Sequence, residues 1–472
     1  MEEILSLNES QLKAYDRLNK FLKSDDTQNF LLLGPAGSGK TTVMINAFKN
    51  TEYKIAFCAF TNKATQVLSC ISQKFDVVID ADFCTIHKLL GLEVKDGETQ
   101  SLLVNENSLA NTKKYDIIVF DECSTISRDL YNSILYMREY NGIDNHSQKY
   151  IYLGDFWQLP PVNENSSIVF DCAKLEKWPV AKLSKIMRSN NDTLLSINNS
   201  MLECIPALVQ KKYAEFCKSF PYNMISIKHQ KYISHQDMIN KYIELYNSDN
   251  SDIVILTYTN TNCKKINLSI QEKINKTHIN AKNPKFNSGD RCVVEFPVKT
   301  AKIKHIQSKT YDNLYCYTTE YSTYLYNGDI FDIIEAKDCK IQTPFNKFSI
   351  LPEYFDGQYL VIKNMQTKDR HHILYVFPDQ INTSREILKF DTNKFAYKNA
   401  NKMVRTLFPV LNYGYAITLY KSQGSEYKTV FINLSSIKYS MLKNITSAVS
   451  LFKATYTAAS RASDNMYIAY ID

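Results

Sequence analysis

Short apolar runs, each ending in a polar loop, recur along the first third of the chain. They lie at residues 30–33, 55–59, 117–120 and 150–153, and helical patterns separate them. Runs of this length with β-branched and aromatic members are typical of buried parallel strands. The first part of the chain is therefore predicted to be an open α/β sheet, in which ligands bind at the carboxyl ends of the strands.

A second series of apolar runs, at residues 252–256, 429–433 and 466–469, predicts a second α/β domain. An insertion between them is rich in Tyr, Lys and Thr and alternates apolar and polar positions in places, which predicts a small β-rich, barrel-like subdomain. Its sequence Tyr326-Asn327-Gly328-Asp329 indicates a hairpin turn. We predict a first domain over residues 1–175, a second over 176–289 and 409–472, and the insertion at 290–408.

Composition changes this picture only slightly. A formal net charge of +7 is compatible with a polyanionic partner without requiring one. The 11 cysteines are scattered, with no C-x₂-C pair, so neither a zinc ribbon nor an iron–sulfur cluster is indicated and reduced thiols are expected. The acidic start Met1-Glu2-Glu3 is unlike a signal peptide, and no apolar stretch reaches about 18 residues. We expect a soluble, intracellular protein without a membrane partner.

One segment has both the pattern and the context of a phosphate-binding P-loop. It reads Gly34-Pro35-Ala36-Gly37-Ser38-Gly39-Lys40-Thr41-Thr42, follows the first apolar run and precedes a helical pattern. Its backbone N–H groups can wrap phosphates, Lys40 can reach the β- and γ-phosphates, and the Thr41 hydroxyl can ligate Mg²⁺. The alternative is a glycine-rich turn without a ligand. We expect bound ATP and Mg²⁺.

Two more predicted strands end in polar residues at the same edge of the sheet. Asp121-Glu122 follows the run at 117–120 as a Walker B pair, in which Asp121 could hold Mg²⁺ through its waters and Glu122 could activate the attacking water. A solvated acidic loop is the alternative. The next strand ends in Gly154-Asp155-Phe156-Trp157-Gln158-Leu159-Pro160-Pro161-Val162.

This last string resembles motif III of superfamily 1 helicases, in the form typical of the Pif-type and RecD-like branch. Residues 415–426, YAITLYKSQGSE, and 456–462, YTAASRA, are similar to motifs V and VI, and residues 183–189, LSKIMRS, to motif IV. The resemblance spans residues 7–462 in the order of the family, except the two insertions. It implies two RecA-like domains with ATP between them and single-stranded DNA lying across both.

The resemblance also implies roles for residues near the nucleotide. Gln158 would sense the γ-phosphate, Arg461 would be an arginine finger and Arg188 a second arginine, with surface salt bridges as the alternative for both arginines. Gly424 and Glu426 of motif V are expected to contact the nucleotide. The segment 7–14 is similar to the Q-motif, so Gln11 would recognise adenine; the alternative is a helix capping box with Asn8.

Further family motifs imply contacts with nucleic acid. They are Phe60-Thr61-Asn62-Lys63 and Thr85 with His87 of motifs Ia and Ib, and Thr418, Tyr420 and Lys421 of motif V. The family usually has His where this chain has Tyr420, although an aromatic ring can still stack on a base.

The insertion at residues 91–114 is predicted to be a hairpin, at the place where Dda-like and RecD-like helicases carry the pin that meets the DNA fork. It contains no aromatic residue, so Leu103, with Leu102, is the predicted apolar wedge; core packing is the alternative.

We therefore expect an ATP-dependent DNA helicase that translocates 5′ to 3′ on single-stranded DNA and unwinds duplex DNA. Two alternatives remain open. One is an RNA-directed superfamily 1 helicase, because phosphate and stacking contacts do not exclude a 2′-hydroxyl. The other is an ATP-gated clamp or remodeller that unwinds nothing.

Overall fold

The chain divides into two compact units in the computed structural model. The structure describes residues 7–49, 51–61, 64–65, 68–69, 80–94, 102–103, 109, 111–142, 148–187, 192–203, 205, 232–248, 252–275, 284–296, 298–342, 352–389, 408–443 and 448–469. Unit 1 comprises Met1–Lys231, Gln423–Val430 and Ile437–Met466, and unit 2 comprises Tyr232–Ser422, Phe431–Ser436 and Tyr467–Asp472. The predicted domain boundaries rest on strand patterns and stay a prediction.

Unit 1 contains a six-stranded sheet with the order β3-β2-β6-β7-β1-β8, in which neighbouring strands are parallel. Its strands are β1 (Asn29–Leu33), β2 (Ile55–Ala59), β3 (Ala81–Thr85), β6 (Ile117–Phe120), β7 (Lys149–Gly154) and β8 (Val180–Lys182). All four predicted runs are strands, so this prediction is confirmed. Because β6, β7 and β1 are adjacent, the loops that follow them meet at one edge.

Helices pack on both faces of this sheet. They are α1 (Glu9–Lys23), α2 (Lys40–Phe48), α3 (Ile86–Leu89), α4 (Arg128–Gly142) and α5 (Ile168–Leu175), and a further helix of unit 1, α6 (Asp192–Glu203), follows β8 in the chain. Side chains alternate between two cores: Phe30 and Leu32 of β1 pack in the core shared with α1 and α2, whereas Leu31 packs in the core shared with α4 and α5. Among all the described helices, none is long and apolar enough to cross a membrane.

Unit 2 carries the second series of predicted strands. A five-stranded sheet has the order β18-β10-β19-β20-β9. Its strands are β9 (Tyr232–Ile233), β10 (Ile253–Thr257), β18 (Ala416–Thr418), β19 (Tyr427–Asn433) and β20 (Ala462–Ala469), and the accompanying helices are α7 (His235–Asn247), α8 (Asn260–Asn275), α10 (Leu434–Lys443) and α11 (Ala448–Ala459). Strands β19 and β20 each begin in unit 1 and end in unit 2. Helix α10 begins in unit 2 and continues in unit 1 from Ile437, and α11 belongs to unit 1.

The predicted insertion is β-rich, as expected. A seven-stranded sheet has the path β12-β13-β14-β11-β17, with β15 pairing with β14 and β16. Its strands are β11 (Arg291–Val294), β12 (Val298–Ile306), β13 (Leu314–Leu325), β14 (Ile330–Gln342), β15 (Tyr354–Asn364), β16 (Arg370–Val376) and β17 (Leu411–Tyr413), and α9 (Pro378–Lys389) follows β16. Long cross-strand ladders, such as β14 with β15, form the body of this sheet.

The turn at Tyr326–Asp329 forms, but the hairpin predicted for it does not. Gly328 has φ 83°, and the Asp329 N–H donates to the Tyr326 carbonyl (3.1 Å). In the described ladders β13 pairs antiparallel with β12 and the start of β14 pairs with β11. The pairs between β13 and β14 are parallel and involve Leu314 with Lys340. The local turn signal was correct, and pairing with strands distant in sequence decided the rest.

The hairpin predicted at residues 91–114 is present as two short antiparallel strands, β4 (Glu93–Val94) and β5 (Leu102–Leu103). Glu93 pairs with Leu103 and Val94 with Leu102. The connecting residues 95–101 and the side chain of Leu103 lie outside the described part of the structure. The wedge role of Leu103 stays a prediction.

A buried ion pair anchors unit 2. The Arg291 side chain is fully buried and its Nε lies 2.8 Å from Asp332 Oδ1. Its Nη1 donates to the Tyr242 hydroxyl (3.2 Å) and the Ile253 carbonyl (2.8 Å), and its guanidinium lies 4.8 Å from the Tyr246 ring centroid. This cation therefore joins β11, β14, α7 and the start of β10.

We expect Asp332→Ala to lower the free energy of unfolding of unit 2 by about 3–5 kcal/mol, because it leaves Arg291 charged and buried without its carboxylate. The matched control is Glu320→Ala, which removes the exposed ion pair with Lys302 (2.6 Å; side chains 62% and 68% exposed). That change should cost less than about 1 kcal/mol. Urea unfolding of both variants measures the difference, and equal effects would contradict the prediction.

Candidate nucleotide site

The P-loop has the backbone that phosphate binding requires. Gly37 and Gly39 have φ of 73° and 83°, a conformation that favours glycine. Helix α2 begins directly after Gly39, without a side-chain cap, so its first N–H groups point into the loop. Lys40 Nζ donates to the carbonyls of Gly34 (2.8 Å) and Pro35 (3.0 Å). The loop thus combines a helix N-terminus with a positive charge.

Gln11 supports this loop from α1. Its Oε1 accepts from the Asn8 N–H (2.9 Å) and Asn8 Oδ1 accepts from the Gln11 N–H (3.1 Å), so the capping box considered as the alternative is present. The Gln11 Nε2 donates to the Ser38 carbonyl (3.0 Å), and a Cβ at Gly39 would lie 2.4 Å from that nitrogen. Both ends of the buried amide are therefore engaged by protein atoms. Adenine recognition by Gln11 stays a prediction.

Glu122 adopts a strained backbone at the end of β6. Its φ of 53° lies in the left-handed region, which costs a non-glycine residue about 1–3 kcal/mol. Local hydrogen bonds hold it there: its N–H donates to Asp121 Oδ1 (2.8 Å), and the Thr125 N–H and hydroxyl donate to its carbonyl (2.9 and 2.8 Å). The strain is typical of a residue whose side chain must point to one place.

Gln158 links Glu122 to Arg461. In the amide orientation that satisfies both neighbours, the Gln158 nitrogen donates to Glu122 Oε2 (3.0 Å) and its oxygen accepts from Arg461 Nη2 (3.2 Å). Gln158 is 3% exposed and Arg461 is 2% exposed. The predicted base, sensor and finger therefore form one hydrogen-bonded chain inside unit 1.

Arg461 is held by backbone around it. Its Nε and Nη1 donate to the carbonyls of Thr457 and Ser425, both at 3.3 Å, and its Nη2 donates to Ser460 Oγ (3.3 Å). Its carbonyl accepts from the Tyr427 N–H (2.9 Å). Because the guanidinium is buried, the alternative of a surface salt bridge is wrong for this residue. The finger role stays a prediction.

Asp155 is a buried carboxylate at this edge. Its oxygens accept from the N–H groups of Ala36 (3.1 Å) and Trp157 (3.0 Å) and from the Tyr456 hydroxyl (2.8 Å). Burial raises the pKa of Asp155, and the Lys40 charge opposes this. The sequence places Asp155 and Tyr456 in motif strings but gives neither of them a role.

The charged groups of the three loops act on one another. Burial raises the pKa of the Cys123 thiol, and the charges of Asp121, Lys40 and Glu122 all influence it. Cys123 is fully buried, directly after the acidic pair. The carboxylate of Asp121 and the hydroxyl of Thr41 are oxygen donors of the kind that Mg²⁺ prefers, so the residues present fit that ion.

The other residues predicted near the nucleotide are Arg188, Gly424 and Glu426. Arg188 lies outside the described residues, and its neighbour Met187 donates its N–H to the Gly37 carbonyl (2.8 Å). Gly424, with φ 74°, approaches motif Ia: a Cβ there would lie 2.8 Å from Ala64 Cβ. Glu426 is half-buried. Nucleotide contacts by Gly424 and Glu426 stay predictions.

The motifs predicted to bind nucleic acid in unit 1 bring two rings together. Phe60 is 39% exposed, and its ring lies 5.5 Å from His87 in an edge-on arrangement. Burial lowers the pKa of His87. The Thr85 hydroxyl accepts from the Lys88 N–H (3.1 Å) and caps α3. Thr61 is half-buried, and Asn62 and Lys63 lie outside the described residues.

Motif V of unit 2 borders a cavity of about 270 Å³. Thr418 and Lys421 line it, together with Lys264 and the exposed Phe296. Lys421 Nζ lies 2.8 Å from Glu295, which partly neutralises its charge. Tyr420 packs against Tyr258 with a ring separation of 6.3 Å. Contacts of these residues with nucleic acid stay predictions.

The parallel sheet, the P-loop and the acidic pair define a P-loop nucleotide-binding protein. Residues 6–203 match the AAA domain family. The uncharacterized protein R530 of Acanthamoeba polyphaga mimivirus is 25% identical over 509 residues, covering 97% of this chain and 99% of that protein. RecD, a RecBCD enzyme subunit of Buchnera aphidicola, is 28% identical over 176 residues, covering 34% of this chain and 27% of RecD.

Two solved structures share the fold over almost the whole chain. The Pif1 helicase from Candida albicans has a TM-score of 0.51 at 15% identity and covers 99% of this chain and 95% of its own. The Pif1 helicase from Bacteroides, in complex with ADP-AlF3 and ssDNA, has a TM-score of 0.50 at 16% identity. The match covers 99% of this chain and 94% of that helicase. The chain thus resembles RecD over about a third of its length and the Pif1 helicases in fold, in line with the resemblance predicted from its motifs. The predicted α/β fold with two RecA-like domains is confirmed.

Lys453 is a buried cation that the sequence did not indicate. It lies on α11, is 3% exposed, and its Nζ sits 4.6 Å from the Phe156 ring centroid. Burial lowers the pKa of Lys453 to about 8, against the opposing charge of Asp155. The folded protein therefore releases this proton at a lower pH than the unfolded chain does.

We expect Lys453→Met to stabilise unit 1 at pH 7 and to lose that advantage as the pH rises from about 8 to 10.5. In this window the unfolded chain still binds the lysine proton and the folded protein does not, so the wild type gains about 3 kcal/mol relative to the variant. Urea unfolding at pH 7 and pH 10 measures the difference. The exposed Lys174→Met is the control for loss of a surface charge, and a pH-independent difference for Lys453→Met would refute the prediction.

Proposed function

We propose that the protein is an ATP-dependent DNA helicase that hydrolyses ATP at the P-loop site and translocates 5′ to 3′ on single-stranded DNA. One observation carries the hydrolytic part: the hydrogen-bonded chain from Glu122 through the buried Gln158 to the buried Arg461. A clamp that only binds nucleotide has no need of a base hydrogen-bonded to a sensor and an arginine. The bound ADP-AlF3 and ssDNA of the Bacteroides Pif1 helicase support the same assignment.

Each group has a chemical task in this proposal. Lys40 and the N–H groups at the start of α2 bind the phosphates, and Glu122 orients and deprotonates the attacking water. The Gln158 amide holds Glu122 on one side and Arg461 on the other, so one side chain positions both the base and the cation. The Arg461 guanidinium stabilises the charge that develops on the γ-phosphate oxygens. When bound, Mg²⁺ would be held at Thr41 and Asp121 and would neutralise phosphate charge.

Lys40→Ala should abolish ATP hydrolysis and weaken nucleotide binding, whereas Glu122→Gln should stop hydrolysis and leave binding near normal. The first change removes the positive charge that binds the phosphates. The second keeps the shape of the site and removes only the base. Binding of a fluorescent ATP analogue and phosphate release measure the two effects. Equal loss of binding in both variants would refute this division of roles.

The nucleic-acid part of the proposal rests on motifs Ia, Ib and V and on the Pif1 relatives. The exposed Phe60 ring beside His87 offers a surface on which a base can stack. Contacts of the other motif residues with the phosphates of DNA carry little sequence information, so binding should depend weakly on base sequence.

Phe60→Ala compared with Tyr53→Ala, which removes a similarly exposed ring (39% and 37%), would show whether this ring contacts DNA.

A duplex with a 5′ single-stranded tail should be unwound in an ATP-dependent reaction, and the same duplex with a 3′ tail should not. A strand-displacement assay with both substrates, and with Glu122→Gln as the inactive control, tests direction and unwinding together. Preference for the 3′ tail would overturn the direction. ATP hydrolysis stimulated by DNA without displacement of either substrate would favour the clamp, and stronger stimulation by RNA than by matched DNA would favour the RNA-directed alternative.

A further inference from the structure

Three hydrogen bonds connect the P-loop, motif III and motif VI at one point of unit 1. The Tyr456 hydroxyl donates to Asp155 Oδ2 (2.8 Å). The Ala36 N–H donates to the same carboxylate oxygen (3.1 Å) and to the Tyr456 hydroxyl oxygen (3.3 Å). Tyr456 is fully buried and Asp155 is 5% exposed. Water therefore does not compete for these bonds.

The C-terminal end of α11 connects Tyr456 to Arg461, the predicted arginine finger. Thr457 Oγ1 accepts from the Leu159 N–H (2.9 Å), next to Gln158, and the Thr457 carbonyl accepts from Arg461 Nε (3.3 Å). Successive residues of α11 thus hold the P-loop, motif III and the guanidinium. A shift of α11 at Tyr456 would move Arg461 relative to Gln158.

We propose that Tyr456 and Asp155 are positioning residues for ATP hydrolysis. Their hydrogen bond fixes α11 to the Ala36 amide of the P-loop, so that Arg461 meets Gln158 only when the loop is correctly placed. This inference rests on the proposed function, because it concerns the hydrolytic step. It differs from a purely structural role, in which the bond would stabilise the fold without affecting catalysis.

The hydroxyl can be tested separately from the ring. The Tyr456 ring stacks on Phe452 with centroids 5.9 Å apart, and Tyr456→Phe keeps this packing while removing the donor to Asp155. A hydrogen bond to a charged group contributes about 1.5–3 kcal/mol. If that free energy is used to align the groups, kcat should fall about 10–100-fold.

The decisive experiment is a double-mutant cycle on DNA-stimulated ATPase activity with Tyr456→Phe, Asp155→Asn and both together. We expect each single change to lower kcat about 10–100-fold with KM for ATP altered less than about threefold. The double variant should be no worse than the poorer single variant, because both changes remove the same bond. The matched control is Phe452→Leu, which loosens the packing of the ring and keeps the hydroxyl, and it should lower thermal stability while kcat stays within about twofold.

Several outcomes would overturn the inference. They are a Tyr456→Phe kcat within about twofold of wild type, effects of the two single changes that multiply in the double variant, or a kcat loss in Phe452→Leu as large as that in Tyr456→Phe. Failure of the proposed function is distinguishable from these, because the wild type itself would then show no hydrolysis that Glu122→Gln abolishes.

Discussion

The architecture of unit 1 depends on bringing Lys40 and three carboxylates, of which Asp155 is buried, to a single sheet edge. Parallel strands β1, β6 and β7 are neighbours, so their following loops bring Lys40, the acidic pair and Asp155 together. An isolated buried carboxylate is costly, and it is tolerated only with partners of opposite charge and hydrogen-bond donors. The backbone donors of the P-loop and motif III and the hydroxyl of Tyr456 fill that need at Asp155.

This constraint explains why parts distant in sequence must fold together. Arg461 and Tyr456 come from the end of the chain, and Ala36 from its beginning, yet each is a partner of a buried polar group in the same unit. Unit 2 uses the same solution, since the buried Arg291 is held by Asp332, a tyrosine hydroxyl and a backbone carbonyl. In both units polar networks fix relative positions that apolar packing alone would leave adjustable.

Local sequence patterns predicted the elements and the loops, but they could not predict side-chain partners that are distant in sequence. The strands, the P-loop backbone and the Asn8–Gln11 capping box follow from short stretches of sequence. The hairpin at Tyr326–Asp329 was wrong because the turn is local but strand pairing is not. Two of the partners of Asp155, Ala36 and Tyr456, lie 119 and 301 residues away, so no spacing rule could show them. Lys453 carries no motif, and only its burial reveals it.

Charge also separates the two regions predicted to meet nucleic acid. In unit 1, the exposed Phe60 ring lies against His87, whose lowered pKa favours the neutral imidazole, so this pair offers an apolar, stacking surface. In unit 2, the ion pair with Glu295 partly neutralises the charge of Lys421, and the Asn412 side-chain amide also donates to that carboxylate. A phosphate approaching Lys421 must therefore compete with Glu295.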